Sequence, residues 1–204
     1  MAVQLIRWGI ARAMPWKNGG GVTHELAVFP EGAGLEDFGW RLSMAEVGSD
    51  GPFSAFTGID RTLALVDGAG IRLDLGAGGE AVLDTPGAFT SFDGGAPVTG
   101  RLIDGPVLDF NVMTRRGAFR HSMERLMLEE GRGLECSGPA SGETIALVCV
   151  SGRVTVTLTK SGRETLQPRD CLVIADEKDA PLLLGGDGTI CLVRLVPDAP
   201  QSAA

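Results

Sequence analysis

Histidine is nearly missing from this 204-residue chain: His24 and His121 are the only two, with no H-x-H spacing and no third partner beside either. A transition-metal site needs three or four well-placed ligands, so no metal and no other cofactor is expected. His24 reads instead as a lone solvated or hydrogen-bonded side chain. The four cysteines, Cys136, Cys149, Cys171 and Cys191, all lie in the second half, without C-x-x-C spacing or a neighbouring histidine. They read as reduced, mostly buried thiols of a cytoplasmic protein. Positive charge is in deficit, 18 basic against 26 acidic residues for a net charge of −8. That is the wrong sign for a phosphate-backbone partner, so no nucleic acid is expected. Long apolar runs are absent as well. The stretch MAVQLIRWGIARAMPW holds no signal-peptide core and no segment approaches a membrane span, so the expected protein is soluble and cytoplasmic, with no membrane partner.

What is present is a chain with 44% hydrophobic and 22% charged residues, enough apolar surface for one large domain or two small ones. Thirty glycines and eleven prolines punctuate short β-rich runs, and sustained 3.6-residue periodicity is almost absent. Strands are expected at Gly21–Phe29, Gly39–Val47, Thr62–Val66, Gly70–Leu75, Glu80–Leu83, Val98–Ile103 and Val107–Met113. The second half adds Glu143–Val150, Arg153–Thr159, Glu164–Leu166, Cys171–Ile174, Leu182–Leu184 and Thr189–Leu195. The one helix-like piece is AFRHSMERLM. The chain also repeats itself: TLALVDGAGIRLDL from Thr62 resembles TIALVCVSGRVTVTL from Thr144, and Pro86 and Leu108–Val112 fall in step with Pro168 and Ile190–Arg194. Two copies of a strand, glycine turn, strand unit resemble the cupin unit, so the expected fold is all-β, a cupin-like double barrel or bicupin. Residues 1–117 would form the first barrel, with the ligand pocket, and residues 118–204 a second, mainly structural one.

The stretch PWKNGGG, Pro15 to Gly21, is costly in backbone entropy and calls for a reason. A phosphate loop has its lysine after the glycines and before a helix, whereas Lys17 precedes them and a strand follows. Close approach of bare backbone to a neighbouring strand or a ligand fits better, with a plain turn as the alternative. Side-chain alternation then sorts the strands that follow. Thr23 and Glu25 share a face, as do Arg41, Ser43 and Ala45, and Asp109, Asn111, Met113 and Arg115. These polar faces are either solvated or converge on a pocket, and the apolar Met113 and Ala45 among them favour the pocket. Arginine's planar fork, a lysine charge and neutral serine and asparagine donors suit a small carboxylate. No cysteine lies in the first half and no serine–histidine spacing suggests an activated nucleophile. In DGPFSAFTGIDRTL, Phe53 and Phe56 read as aromatics pinning a loop, or as a gate over a barrel mouth.

The segments MPWKNGGGVTHEL, WRLSMAEVGSDGPFSAFTGIDRTLALVDG and FDGGAPVTGRLIDGPVLDFNVMTRRG together resemble the HutD/Ves family of bacterial proteins over nearly the whole chain. Thr57 and Gly95 depart from the family's usual loop residues. The resemblance implies a bicupin fold without metal-binding histidines and a role in histidine utilisation, restraining that pathway by binding a small metabolite. It places the family's motif at Trp16, Lys17, Asn18, Gly19, Gly20, Thr23 and Glu25, at Arg41 and Ser43, and at Asn111, Met113 and Arg115. The leading expectation is a regulatory binder, without turnover, of a small carboxylate such as urocanate, formylglutamate or formate. The alternatives are a metal-free isomerase or amidohydrolase using Glu25 as base, and a structural bicupin. The reading leaves room for a homodimer.

Overall fold

The computed structural model describes residues 3–16, 20–159, 161–175 and 180–198. In the first half the strands are β1 (Val3–Ile6), β2 (Arg12–Pro15), β3 (Gly21–Phe29), β4 (Trp40–Val47), β5 (Gly51–Pro52), β6 (Ile59–Asp67), β7 (Ile71–Asp74), β8 (Glu80–Leu83), β9 (Phe89–Asp93), β10 (Thr99–Leu102) and β11 (Val107–Arg115). The second half contributes β12 (Phe119–Leu128), β13 (Leu134–Cys136), β14 (Thr144–Leu158), β15 (Gly162–Leu166), β16 (Cys171–Ala175) and β17 (Leu182–Pro197). Among the described residues only Trp8–Ile10 and Gly76–Gly78 are helical, each a single 3-10 turn.

The strands form three antiparallel sheets: β2-β3-β4-β11-β6-β9, then β5-β10-β7-β8, then β1-β16-β14-β17-β12 with β13 on β17 and β15 on β14. The fold is all-β and cupin-like, but the sheets end in open edges, so the expected closed barrels are corrected to cupin-type sandwiches. Residues 1–117 supply the first two sheets, except that β1 crosses to pair with β16 in the sheet of residues 118–204.

Alternation explains the layering. One face of the six-stranded sheet (Leu42, Met44, Val66, Phe110 and Val112) packs on Ala146, Val148, Cys171, Cys191 and Val193 of the seven-stranded sheet. The other face carries Ala45, Val47, Leu63, Leu65 and Val107, which pack on Ile71, Leu73 and Leu83 of the four-stranded sheet. A third core joins Ile145, Leu147, Leu172 and Ile174 to Val154, Val156, Leu166 and Leu184 inside the second half. Each fully buried leucine, isoleucine or phenylalanine of these layers contributes about 1.5–3 kcal/mol. All four cysteines are free, and burial pushes the Cys171 and Cys191 thiols up to about 12.

Two expectations about local structure change. AFRHSMERLM is not helical; Phe119–Leu128 is a strand, paired residue for residue with β17 from Phe119↔Pro197 to Leu128↔Gly188. Its helix-forming Met, Glu, Arg and Leu are overruled by that long ladder, since local propensity is worth only tenths of a kcal/mol per residue. The paired short runs expected at 143–150 and 153–159 fuse into β14, and those at 182–184 and 189–195 into β17. A register shift between Cys149 and Ser151 marks where the first copy of the repeat breaks into β6 and β7 while the second stays continuous.

Candidate functional site

The inward face of the six-stranded sheet is ordered in cross-strand rows. Arg41, Met113 and Arg61 stand side by side on β4, β11 and β6. The next row is Glu25, Ser43, Asn111 and Leu63, and the one below is Thr23, Ala45, Asp109 and Leu65. The two arginines start two strand spacings apart, roughly 10 Å, and flank the thioether of Met113. Above them opens a cavity of ≈ 480 Å³, walled by Met14, Pro15, Trp16 and Thr23 on one side and by Phe53, Ser54 and Phe56 on the other, with Leu35 at its edge. This size suits a small organic ligand.

Both arginines are buried, Arg41 at 4% and Arg61 at 5% exposure. Arg41 donates through Nε to Glu25 Oε2 at 2.8 Å and through Nη1 to Ser43 Oγ at 3.3 Å. Its charge therefore has a carboxylate partner. Arg61 differs: Nε and Nη2 both donate to the neutral Asn111 Oδ1, at 2.8 and 2.5 Å, and Nη1 reaches the Ser54 carbonyl at 3.5 Å. Its guanidinium lies over the Phe53 and Phe92 rings, 5.1 and 5.5 Å from their centroids. Burial lowers its pKa to about 10, with Asp109 opposing and Arg41 adding to the shift, so it stays charged at neutral pH. Arg61 is thus a desolvated cation without a hydrogen-bonded carboxylate among the described residues, and such an arrangement favours an anion.

The sequence-derived residues divide on this geometry. Trp16, Thr23, Arg41, Ser43, Asn111 and Met113 line the cavity. Glu25 sits behind Arg41 as its ion-pair partner. Gly20 lies beside the cavity, on a small recess behind Trp16, where its carbonyl accepts the Gly48 N–H. Arg115 is not brought to the site: its Nε and Nη2 donate to the carbonyls of Phe38 and Glu36, fastening the connection that carries Leu35. Lys17, Asn18 and Gly19 lie outside the described residues. The last glycine of the run does have a steric reason, because a Cβ on Gly21 would stand 2.3 Å from the Glu46 carbonyl and 3.1 Å from the Trp16 ring. The bare backbone lets that indole lie across the strand and donate from Nε1 to Thr23 Oγ1 at 2.7 Å.

Arg61, which the sequence reading did not single out, lines the cavity together with the loop aromatics Phe53 and Phe56, while Asp109 lies beneath it, bonded to Asn111. Neither histidine reaches the cavity. The His24 ring lies tilted against Trp8, 4.4 Å between ring centroids, and donates to Glu46. His121 lies on the opposite face of the sheet, its ring nitrogens 2.7 Å from the hydroxyls of Thr62 and Thr114. The cavity lining among the described residues therefore offers hydroxyls but no histidine or cysteine. No group of three or more His, Cys, Asp or Glu side chains is placed to hold a metal ion among those residues, and no described helix is long and apolar enough to cross a membrane.

These sheets and this pocket define a cupin-like protein, a fold shared at 11% identity and a TM-score of 0.72 with protein YlbA of Escherichia coli, over 100% of this chain and 93% of that one. Within that class the relationship is specific. Residues 10–192 match the HutD family model, and the chain belongs to the HutD family. It is 34% identical over 194 residues to an uncharacterized 21.2 kDa protein of the hutC 3′ region in Pseudomonas putida, covering 95% of this chain and 97% of that protein. It also resembles HutD from Pseudomonas fluorescens SBW25, solved in a formate condition, at 31% identity and a TM-score of 0.82 over 97% of this chain and 100% of that one.

Proposed function

We propose that this protein is a cytoplasmic regulator of histidine catabolism that binds a small carboxylate metabolite, of the urocanate, formylglutamate or formate class, in the cavity above Arg41 and Arg61, without turning it over. The observation that carries this reading is Arg61, a buried guanidinium facing a ≈ 480 Å³ cavity, whose hydrogen-bond partners among the described residues are a neutral amide and a carbonyl. A ligand carboxylate would give Arg61 an anionic partner, and Arg41 on the other side of Met113 would add a second charge. Phe53, Phe56 and Trp16 form walls for a planar or aliphatic body. The solved HutD relative in a formate condition and the hutC-region relative support the metabolite class. Residues 118–204 act as the structural base on which the six-stranded sheet rests, since their inner faces are apolar.

The test is calorimetric titration of the wild type, Arg61→Lys and Arg41→Lys with urocanate, formylglutamate and formate. Lysine keeps the charge and loses the planar fork, so each variant is expected to bind about 5- to 100-fold more weakly, roughly 1–3 kcal/mol. The urocanate absorption spectrum stays constant on prolonged incubation if the protein is a binder. Unchanged affinity in both variants would remove the arginines from the ligand, and a changing spectrum would make the protein an enzyme.

A further inference from the structure

Asp109 has no place in the ligand contacts described so far, and its surroundings are unusual for an acid. It stands two rows below the arginines on β11, paired with Ala45 and Leu65. It is fully buried, its Oδ1 accepts from Asn111 Nδ2, and its Oδ2 has no hydrogen-bond partner among the described residues. Asn111 passes the connection upward, because its Oδ1 is the acceptor for both Nε and Nη2 of Arg61. The charged group acting on Asp109 is Arg61 from β6; Arg61 is itself flanked by the charge of Arg41 from β4, which is bonded to Glu25 of β3. The four-stranded sheet across the core presents Ile71 and Leu73, which carry no charge.

Arg61, Asp109 and an anion bound at Arg61 would make a three-way balance of charge. With Asp109 ionised, its charge already offsets Arg61 through the Asn111 amide, and an incoming anion meets a neutral site. With Asp109 protonated, Arg61 is unbalanced and the anion is attracted. We propose that Asp109 is the proton-linked counter-charge of the cavity: one anion at Arg61 and one proton at Asp109, taken from solvent, enter together and leave together. This rests on the reading of the cavity as an anion site.

Burial pushes the Asp109 carboxyl up to about 7, against the opposing pull of Arg61, the Asn111 amide and the Ala45 N–H. The group is therefore poised near neutral pH before any ligand arrives. An anion nearby raises it further, so the complex holds more protons than the free protein. Affinity is then flat below the free-protein value and falls as pH rises above it, approaching tenfold per pH unit.

The experiment is calorimetric titration of the full chain with formylglutamate from pH 6 to 9, in pairs of buffers with different ionisation enthalpies. The wild type is expected to take up close to one proton per anion around pH 8 and to lose at least tenfold in affinity between pH 7 and pH 8.5. Asp109→Asn, which keeps the acceptor for Asn111 and cannot ionise, is expected to bind with one affinity across the range and no proton uptake. Binding by the wild type with no pH dependence and no uptake overturns the coupling and leaves the anion site standing. Retention of the pH slope in Asp109→Asn overturns the assignment to Asp109. Absence of binding by either protein at any pH, with both folded, overturns the anion site and the coupling together.

Discussion

Replacing Gly152 with alanine is expected to destabilise the protein by about 4 kcal/mol, at the upper end of single-substitution effects. Gly152 has φ +75 and lies just past the register shift where β14 turns within its sheet. A Cβ there would stand 2.0 Å from the Asp187 carbonyl oxygen and 2.6 Å from the Gly188 Cα, both backbone atoms of β17. The left-handed conformation alone costs a substituted residue roughly 1–2 kcal/mol, and backbone cannot swing aside as a side-chain tip can. Separating β14 from β17 would loosen the longest ladder of the fold and the Val154 and Leu184 core beneath it. The expected thermal reading is a fall of roughly 10 °C in melting temperature. Gly152 is on none of the elements lining the cavity, so anion affinity measured on folded protein well below the transition should match the wild type. A melting temperature within about 2 °C of wild type would show that the crossing relaxes at little cost.

How far the site was legible depended on strand boundaries. Alternation picks out Thr23, Arg41, Ser43, Asn111 and Met113 correctly as neighbours because each falls well inside an obvious strand. Arg61 escapes the same rule. The apolar run TLALV draws the strand start to Thr62, whereas β6 begins at Ile59, so the parity that puts Arg61 in line with Leu63 and Leu65 is hidden by the late start. Asp109 shows on the right face, but alternation says nothing of depth, and depth is what turns a polar strand residue into a buried acid with an unpartnered oxygen. Arg115 fails for the opposite reason: it has the right parity at the wrong end of β11, where the carbonyls of Glu36 and Phe38 capture it first. Barrel closure, likewise, is decided by whether distant edges meet, and strand patterns carry no record of that.

Glu25→Gln is expected to weaken the free protein and tighten its hold on an anion. Arg41 is 4% exposed and Glu25 is its carboxylate partner at 2.8 Å, with side-chain exposures of 5% and 21%. Removing one member of a fully buried pair costs about 3–5 kcal/mol. Glu25 keeps a fifth of its surface in water and the glutamine carbonyl still accepts from Arg41 Nε, which reduces the expected loss to about 2 kcal/mol. The same change leaves two desolvated guanidinium groups in one row with no carboxylate of the described residues bonded to either, a state that an anion above Met113 relieves. Affinity for formylglutamate should therefore rise by about tenfold, roughly 1.4 kcal/mol, and saturating ligand should restore more stability to the variant than to the wild type. Denaturant unfolding with and without formylglutamate, beside calorimetric titration, reads both quantities on the same protein. If the Arg41–Glu25 pair only holds β3 against β4, stability will fall while affinity stays level or drops. That result would remove Arg41 from the anion site and leave Arg61 to hold the ligand alone.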